Sequence, residues 1–215
     1  MLWRETELWS SGYKLVAGVD EAGRGPLAGP VVAAAVILRP GCDIAGAMDS
    51  KTLSPGEREA QFIEISAKSL AMACGAVSTA IIDRIGILEA TLLAMKRALS
   101  RLQPNPDYIL IDGNRLPKGL LSTSKAIVGG DASVRCIAAA SIIAKVIRDR
   151  LMIRLGRLYP QYGFEKHKGY GTPQHLEALA SLGPTPHHRF SFQPVRQTRM
   201  ALGDGSDPKA GLSHT

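Results

Sequence analysis

Two short apolar runs in this 215-residue sequence end in carboxylates: Leu15 to Val19 runs into Asp20-Glu21, and Tyr108 to Ile111 runs into Asp112. A further acid, Asp131, follows Gly129-Gly130 and precedes an alanine-rich stretch. Apolar runs of this length read as buried strands, and in α/β sheets ligand sites gather at the strand ends, where acids from separate strands can converge. Carboxylates crowded together repel one another unless cations neutralise them. An all-oxygen ligand set favours Mg²⁺ or Mn²⁺. Two such ions about 3.5–4 Å apart can activate a water and stabilise the departing oxygen of a phosphodiester. Singly, each acid has a plainer reading: Asp20-Glu21 and Asp112-Gly113-Asn114 as turns, and Asp131 as the N-cap of the helix that follows.

The elements that must position these acids follow from periodicity. Leu15 to Val19 and Val31 to Leu38 read as strands of a hairpin with a long Gly- and Pro-rich connection, Gly23 to Pro30. Ser54-Pro55-Gly56-Glu57 is a capping box with proline at the first helical position, and predicts a helix toward Ala67. Leu70 to Val77 predicts a third strand, Ile87 to Leu102 a helix, and Lys125 to Val128 a last strand. From Ser133 to about Tyr159 the pattern is one long helix, alanine-rich and then basic. Pro160 to Pro194 mixes short helices and loops, and Gly203 to Thr215 has the composition of a disordered tail. The expected fold class is α/β, a mixed sheet flanked by helices. It forms one domain over residues 1–202, with a helical C-terminal extension from about residue 160.

Charge and cysteine usage narrow the partners. Between Lys145 and Met200 lie ten Lys and Arg against three acids, which accounts for the whole formal charge of +7. A one-sided basic region suits a polyanion such as nucleic acid, or simply a solvated helix face. The longest pure apolar run, Val31 to Leu38, has eight residues, far short of the roughly 18 a membrane span needs. The first ten residues lack the basic-then-apolar pattern of a secretory signal. Cys42, Cys74 and Cys136 cannot all pair, and none belongs to a C-x-x-C motif, so neither a disulfide framework nor a zinc ribbon is expected. These features together predict a soluble cytoplasmic chain with no membrane attachment, and since nothing in the sequence suggests an obligate oligomer, a monomer is expected. Ser141, Lys145 and Asp149 share one helix face. That face could meet a backbone phosphate, or Lys145 and Asp149 could simply pair. A serine–lysine hydrolase is disfavoured, because an alanine-rich helix interior is a poor place for an exposed nucleophile. Arg148, Arg150, Arg154 and Arg157 read as a mostly solvated face, Asp83 as a helix cap or surface pair, and His187-His188 as a structural or phosphate contact.

The stretch Gly18-Val19-Asp20-Glu21-Ala22-Gly23-Arg24-Gly25-Pro26-Leu27-Ala28-Gly29-Pro30-Val31 closely resembles the first motif of the ribonucleases HII. Further blocks resemble that family in order: Asp49 to Ser54, Ile111 to Asn114, Gly130-Asp131, Ala138 to Asp149, His167 to Thr172 and His187 to Phe192. The resemblance implies a ribonuclease H-like fold. It implies cleavage of the RNA strand of RNA–DNA hybrids and of ribonucleotides embedded in duplex DNA, leaving 5′-phosphate and 3′-hydroxyl ends. Asp20, Glu21, Asp112 and Asp131 match the family's four acids for two Mg²⁺ or Mn²⁺ ions. The expected division is one ion on Asp20, Asp112 and Asp131 and the other on Asp20 and Glu21. By the same resemblance, Gly23-Arg24-Gly25 reads the ribose 2′-hydroxyl, the group that distinguishes the two sugars. Tyr170 would pack at the ribonucleotide–deoxynucleotide junction. Ser50, Lys51, Ser141 and Lys145 are candidate substrate contacts.

Overall fold

The computed structural model describes residues 4–42, 44, 53–201 and 203. Ser50 and Lys51, and the predicted tail after Gly203, lie outside the described residues. The five strands are β1 (Val16–Ala22), β2 (Val31–Leu38), β3 (Ser69–Val77), β4 (Tyr108–Asp112) and β5 (Thr123–Ile127), in the sheet order β3-β2-β1-β4-β5. β1 runs antiparallel to β2, with Asp20 opposite Ala34, and parallel to β4, with Val19 beside Ile111. The expected hairpin and mixed sheet are therefore present. Every residue of β2 is buried, as a continuous apolar run requires when both faces of its strand are covered.

The helices are α1 (Arg4–Ser10), α2 (Pro55–Lys68), α3 (Thr79–Ile85), α4 (Ile87–Arg101), α5 (Arg135–Leu158), α6 (Phe164–His167), α7 (Pro173–Leu182) and α8 (Gln193–Ala201). α2 carries the predicted capping box, with the Ser54 hydroxyl accepting from Glu57 N–H and Glu57 accepting from Ser54 N–H. β3 lies at the sheet edge. From α4, Arg97 and Arg101 donate to the Ala76 and Cys74 carbonyls, satisfying edge groups that would otherwise be open to another strand.

α5 begins two residues later than periodicity suggests. Its first N–H groups, of Arg135 and Cys136, donate to the buried Glu5 carboxylate at 3.2 and 2.6 Å. Asp131 instead sits in a 3-10 turn, Gly130–Ala132. The N-cap reading of Asp131 is thereby replaced: a carboxylate from α1, far away in sequence, fills that role.

The chain forms two compact units: Met1–Ala22, Val32–Ala76 and Thr91–Ile147 in one, and Gly23–Val31, Val77–Ala90 and Arg148–Thr215 in the other. In the first, the sheet and α5 enclose a core that includes Val36, Leu110, Ile137, Ile142 and Ile143. In the second, the β1–β2 connection packs with the end of α5 and the C-terminal helices, with Ala28, Met152 and Phe164 in one cluster and Leu27, Leu179 and Val195 in another.

Candidate active site

Gly18 brings α5 onto β1. A Cβ there would lie 2.1 Å from the Cys136 carbonyl carbon and 2.3 Å from Ile137 N, so only glycine allows the helix to start against the strand. From that point strand and helix run on together. Two strand residues advance about 6.6 Å, and four to five helical residues about 6–7.5 Å, which takes the strand to Asp20 and the helix to Ser141. The Ser141 side chain hydrogen-bonds the Asp20 carboxylate. Ser141 is buried, so its hydroxyl serves Asp20 and does not face an open surface.

Asp20 is itself buried. Burial, followed by the charges of Glu21 and Asp112, raises its pKa well above the usual carboxylate range; the Ser141 hydroxyl and the Glu21 N–H (2.7 Å) pull the other way. Asp112 is half-buried at the end of β4, and the parallel register sets it beside Asp20. Its Oδ1 accepts from Gly130 N–H at 2.7 Å, which ties the turn carrying Asp131 to the end of β4. A Cβ on Gly130 would lie 2.6 Å from Ile137 Cδ1, so a side chain there would have to displace the Ile137 methyl end. The structure thus brings Asp20, Glu21 and Asp112 into electrostatic contact and joins Asp131 to them through the backbone. Among the described residues, no three His, Cys, Asp or Glu side chains close on one point tightly enough to grip an ion as they stand. The donor chemistry nonetheless fits a hard divalent cation: the donors are all oxygens, and a buried carboxyl flanked by two carboxylates gains from a compensating positive charge. Lys145 lies one turn after Ser141 on α5 and is half-buried.

Gly23 follows directly on β1 and opens the connection to β2. Two arginines hold this connection by its carbonyls. Arg148 donates from Nε to Pro30 O and from Nη2 to Ala28 O, each at 3.1 Å. Arg189 donates to Gly23 O (2.6 Å), Arg24 O (2.8 Å) and Gly29 O (2.9 and 3.1 Å). Both guanidiniums are buried, at 1 % and 0 % exposure. Burial, followed by the charge of Arg148, pulls Arg189 down to about 9, which leaves it protonated at neutral pH. Arg148 is therefore not part of a solvated basic face, and Arg189 is not a surface grip for nucleic acid. Asp83 is likewise no surface pair. It is buried and accepts from Phe190 N–H, Ser191 N–H and the Ser191 hydroxyl. Gly23 and Gly25 differ sharply. A Cβ on Gly23, at φ +95°, would sit 1.9 Å from Arg148 Nε, whereas a Cβ on Gly25 would meet only the Tyr170 ring, at 3.8 Å. Gly25 and Tyr170 are thus neighbours, and both are exposed.

A histidine chain braces the Tyr170 backbone. Thr185 N–H donates to His188 Nδ1 (2.9 Å), so His188 carries its proton on Nε2 and donates to His175 Nε2 (3.0 Å). His175 then holds its proton on Nδ1 and donates to Tyr170 O (2.8 Å). Burial and the adjacent His175 push the His188 pKa down to about 3. His188 is thus structural.

A family model described as ribonuclease HII matches residues 17–195. Ribonuclease HII of Burkholderia thailandensis is 57 % identical over 184 residues, 86 % of either chain. That of Geobacillus kaustophilus is 52 % identical over 197 residues, 92 % of this chain and 75 % of its own. The ribonuclease H2 structure of Pyrococcus horikoshii superposes with a TM-score of 0.74 at 30 % identity, over 88 % of this chain and 99 % of that one. A ribonuclease HII of Archaeoglobus fulgidus, solved in complex with PCNA, gives 0.68 at 28 % identity, over 83 % of this chain and 95 % of that one. The mixed five-stranded sheet with its flanking helices is that of a ribonuclease H-like hydrolase. Within that class, the chain belongs to the ribonuclease HII family. No helix among the described residues is long and apolar enough to cross a membrane.

Proposed function

We propose that the protein cleaves the RNA strand of RNA–DNA hybrids and nicks duplex DNA at embedded ribonucleotides, leaving 5′-phosphate and 3′-hydroxyl ends, and so removes misincorporated ribonucleotides from DNA. The observation that carries this reading is the buried Asp20 carboxyl beside Glu21 and Asp112 at adjacent strand ends, in a chain of the ribonuclease HII family. Mg²⁺ or Mn²⁺ held by Asp20, Glu21, Asp112 and Asp131 would supply an activated water and charge stabilisation for the leaving 3′ oxygen. Ser141 keeps the Asp20 carboxylate in one orientation, and Gly130 does the same for Asp112. The exposed Gly25 backbone admits a sugar closely because its missing side chain is not required by the protein's own packing. Tyr170, whose backbone is fixed by His175, offers a ring face beside it. The test is a duplex containing one ribonucleotide, incubated with Mg²⁺ or Mn²⁺: a single nick at that position is expected, and an uncut duplex with either metal would refute the assignment.

A further inference from the structure

We propose that Arg189, anchored by Asp83, is a positioning residue that shapes the Gly23-Arg24-Gly25 backbone for sugar discrimination. The inference rests on the role given to that tripeptide above. A guanidinium removed from water is costly unless each donor finds a partner, and this one donates to three main-chain carbonyls: Gly23, Arg24 and Gly29. An apolar side chain of similar size would avoid that cost but would leave the three carbonyls without their donors. What the planar fork adds is direction, because it pins three carbonyls at once.

The consequence follows from peptide geometry. In a trans peptide the carbonyl and the next N–H point to opposite sides. With the Gly23 and Arg24 carbonyls drawn onto Arg189, the N–H groups of Arg24 and Gly25 turn away from it, in two residues that are exposed. The segment bearing Arg189 is fixed in turn. Arg189 N–H donates to Leu27 O and Gly29 N–H to His187 O, both at 2.8 Å, and Asp83 collects the next two N–H groups, at 3.0 and 2.9 Å. A lysine at position 189 would keep the charge but, as a point donor, could not hold three carbonyls in one plane.

The experiment compares Arg189→Lys with wild type on a duplex containing one ribonucleotide. The readouts are kcat, KM and the ratio of single-turnover nicking at the ribonucleotide to nicking at a deoxynucleotide in the same context. Val195→Ala, which loosens the neighbouring Leu27–Leu179 cluster while keeping the Arg189 guanidinium and its carbonyl acceptors, serves as the control for simple destabilisation. Arg189→Lys is expected to lower kcat about 100-fold, the scale of a 1 Å misplacement, with KM little changed and the discrimination ratio reduced. Val195→Ala is expected to lower the melting temperature while the ratio holds. Should Arg189→Lys fail to fold, Asp83→Asn decides in its place, with a smaller loss of the same ratio expected. A ratio unchanged in the Arg189 variant (or in Asp83→Asn where that decides), or reduced equally by Val195→Ala, overturns the proposal. A wild-type enzyme that nicks ribo- and deoxynucleotides alike would instead sink the function assigned to the loop.

Discussion

Gly23 and Gly25 are the same residue type two positions apart, and the structure separates their reasons for being glycine. Gly23→Ala would drive a methyl group into Arg148 at a positive φ, at a cost of about 1–3 kcal/mol, the range for overpacking. Gly25→Ala meets only ordinary contact with Tyr170. Its melting temperature should therefore match wild type while nicking at ribonucleotides falls by at least about tenfold, as expected when a backbone donor can no longer approach the sugar. Thermal melts paired with nicking rates check both variants, and equal melting temperatures for the two would contradict the distinction. In the sequence, both glycines and all four acids stand out through their resemblance to the ribonuclease HII motifs, since singly each has a plainer reading. The sequence hides Arg148, Arg189 and Asp83, because a charged residue that bonds only to distant main chain carries no local pattern; counting them as surface charge is the natural error.

At the level of elements, periodicity was sufficient for the strands and for α2, α4 and α5, because each follows a local rule of spacing or capping. The start of α5 was not legible. Its N–H groups are satisfied by Glu5, about 130 residues earlier in the chain, whereas Asp131 looked like a cap only because it is close in sequence. Glu5→Ala leaves two helix-end donors without their acceptor and should cost about 2 kcal/mol, at the upper end for loss of a cap. Chemical denaturation measures this directly, and a loss below about 0.5 kcal/mol would remove Glu5 from the account. The histidine chain between His188 and Tyr170 makes a second prediction at this scale. His188 is held at about 3 when folded, against an unperturbed value near 6.5. The unfolded chain therefore binds the extra proton between those values, and stability is full above about pH 6.5 and declines on acidification. Between roughly pH 7 and pH 5 this site alone should withdraw about 2 kcal/mol. His188→Gln should flatten that part of the stability curve, and an unaltered slope would exclude this site.

For the whole molecule, the +7 charge is a smaller grip than composition suggests, because Arg148 and Arg189 spend theirs on carbonyls. Arg154 and Arg157, by contrast, are exposed, and under the proposed function they are candidates to meet phosphates. Removing both charges (Arg154→Gln with Arg157→Gln) should raise KM without changing kcat and reduce the slope of log KM against log salt by about 1–2; an unchanged slope would place the nucleic acid elsewhere. The central claim remains that carboxylates from separate strands act together on a phosphodiester. Asp112→Asn probes it with little structural disturbance, because the amide oxygen can still accept the Gly130 N–H that Oδ1 accepts now. The most direct measurement is end-group analysis of the nick at one embedded ribonucleotide in Mg²⁺, for wild type and Asp112→Asn. The expected products from the wild type are a 3′-hydroxyl and a 5′-phosphate, with a rate lower by orders of magnitude in the variant. A 2′,3′-cyclic phosphate, or a variant as fast as wild type, would contradict the central claim.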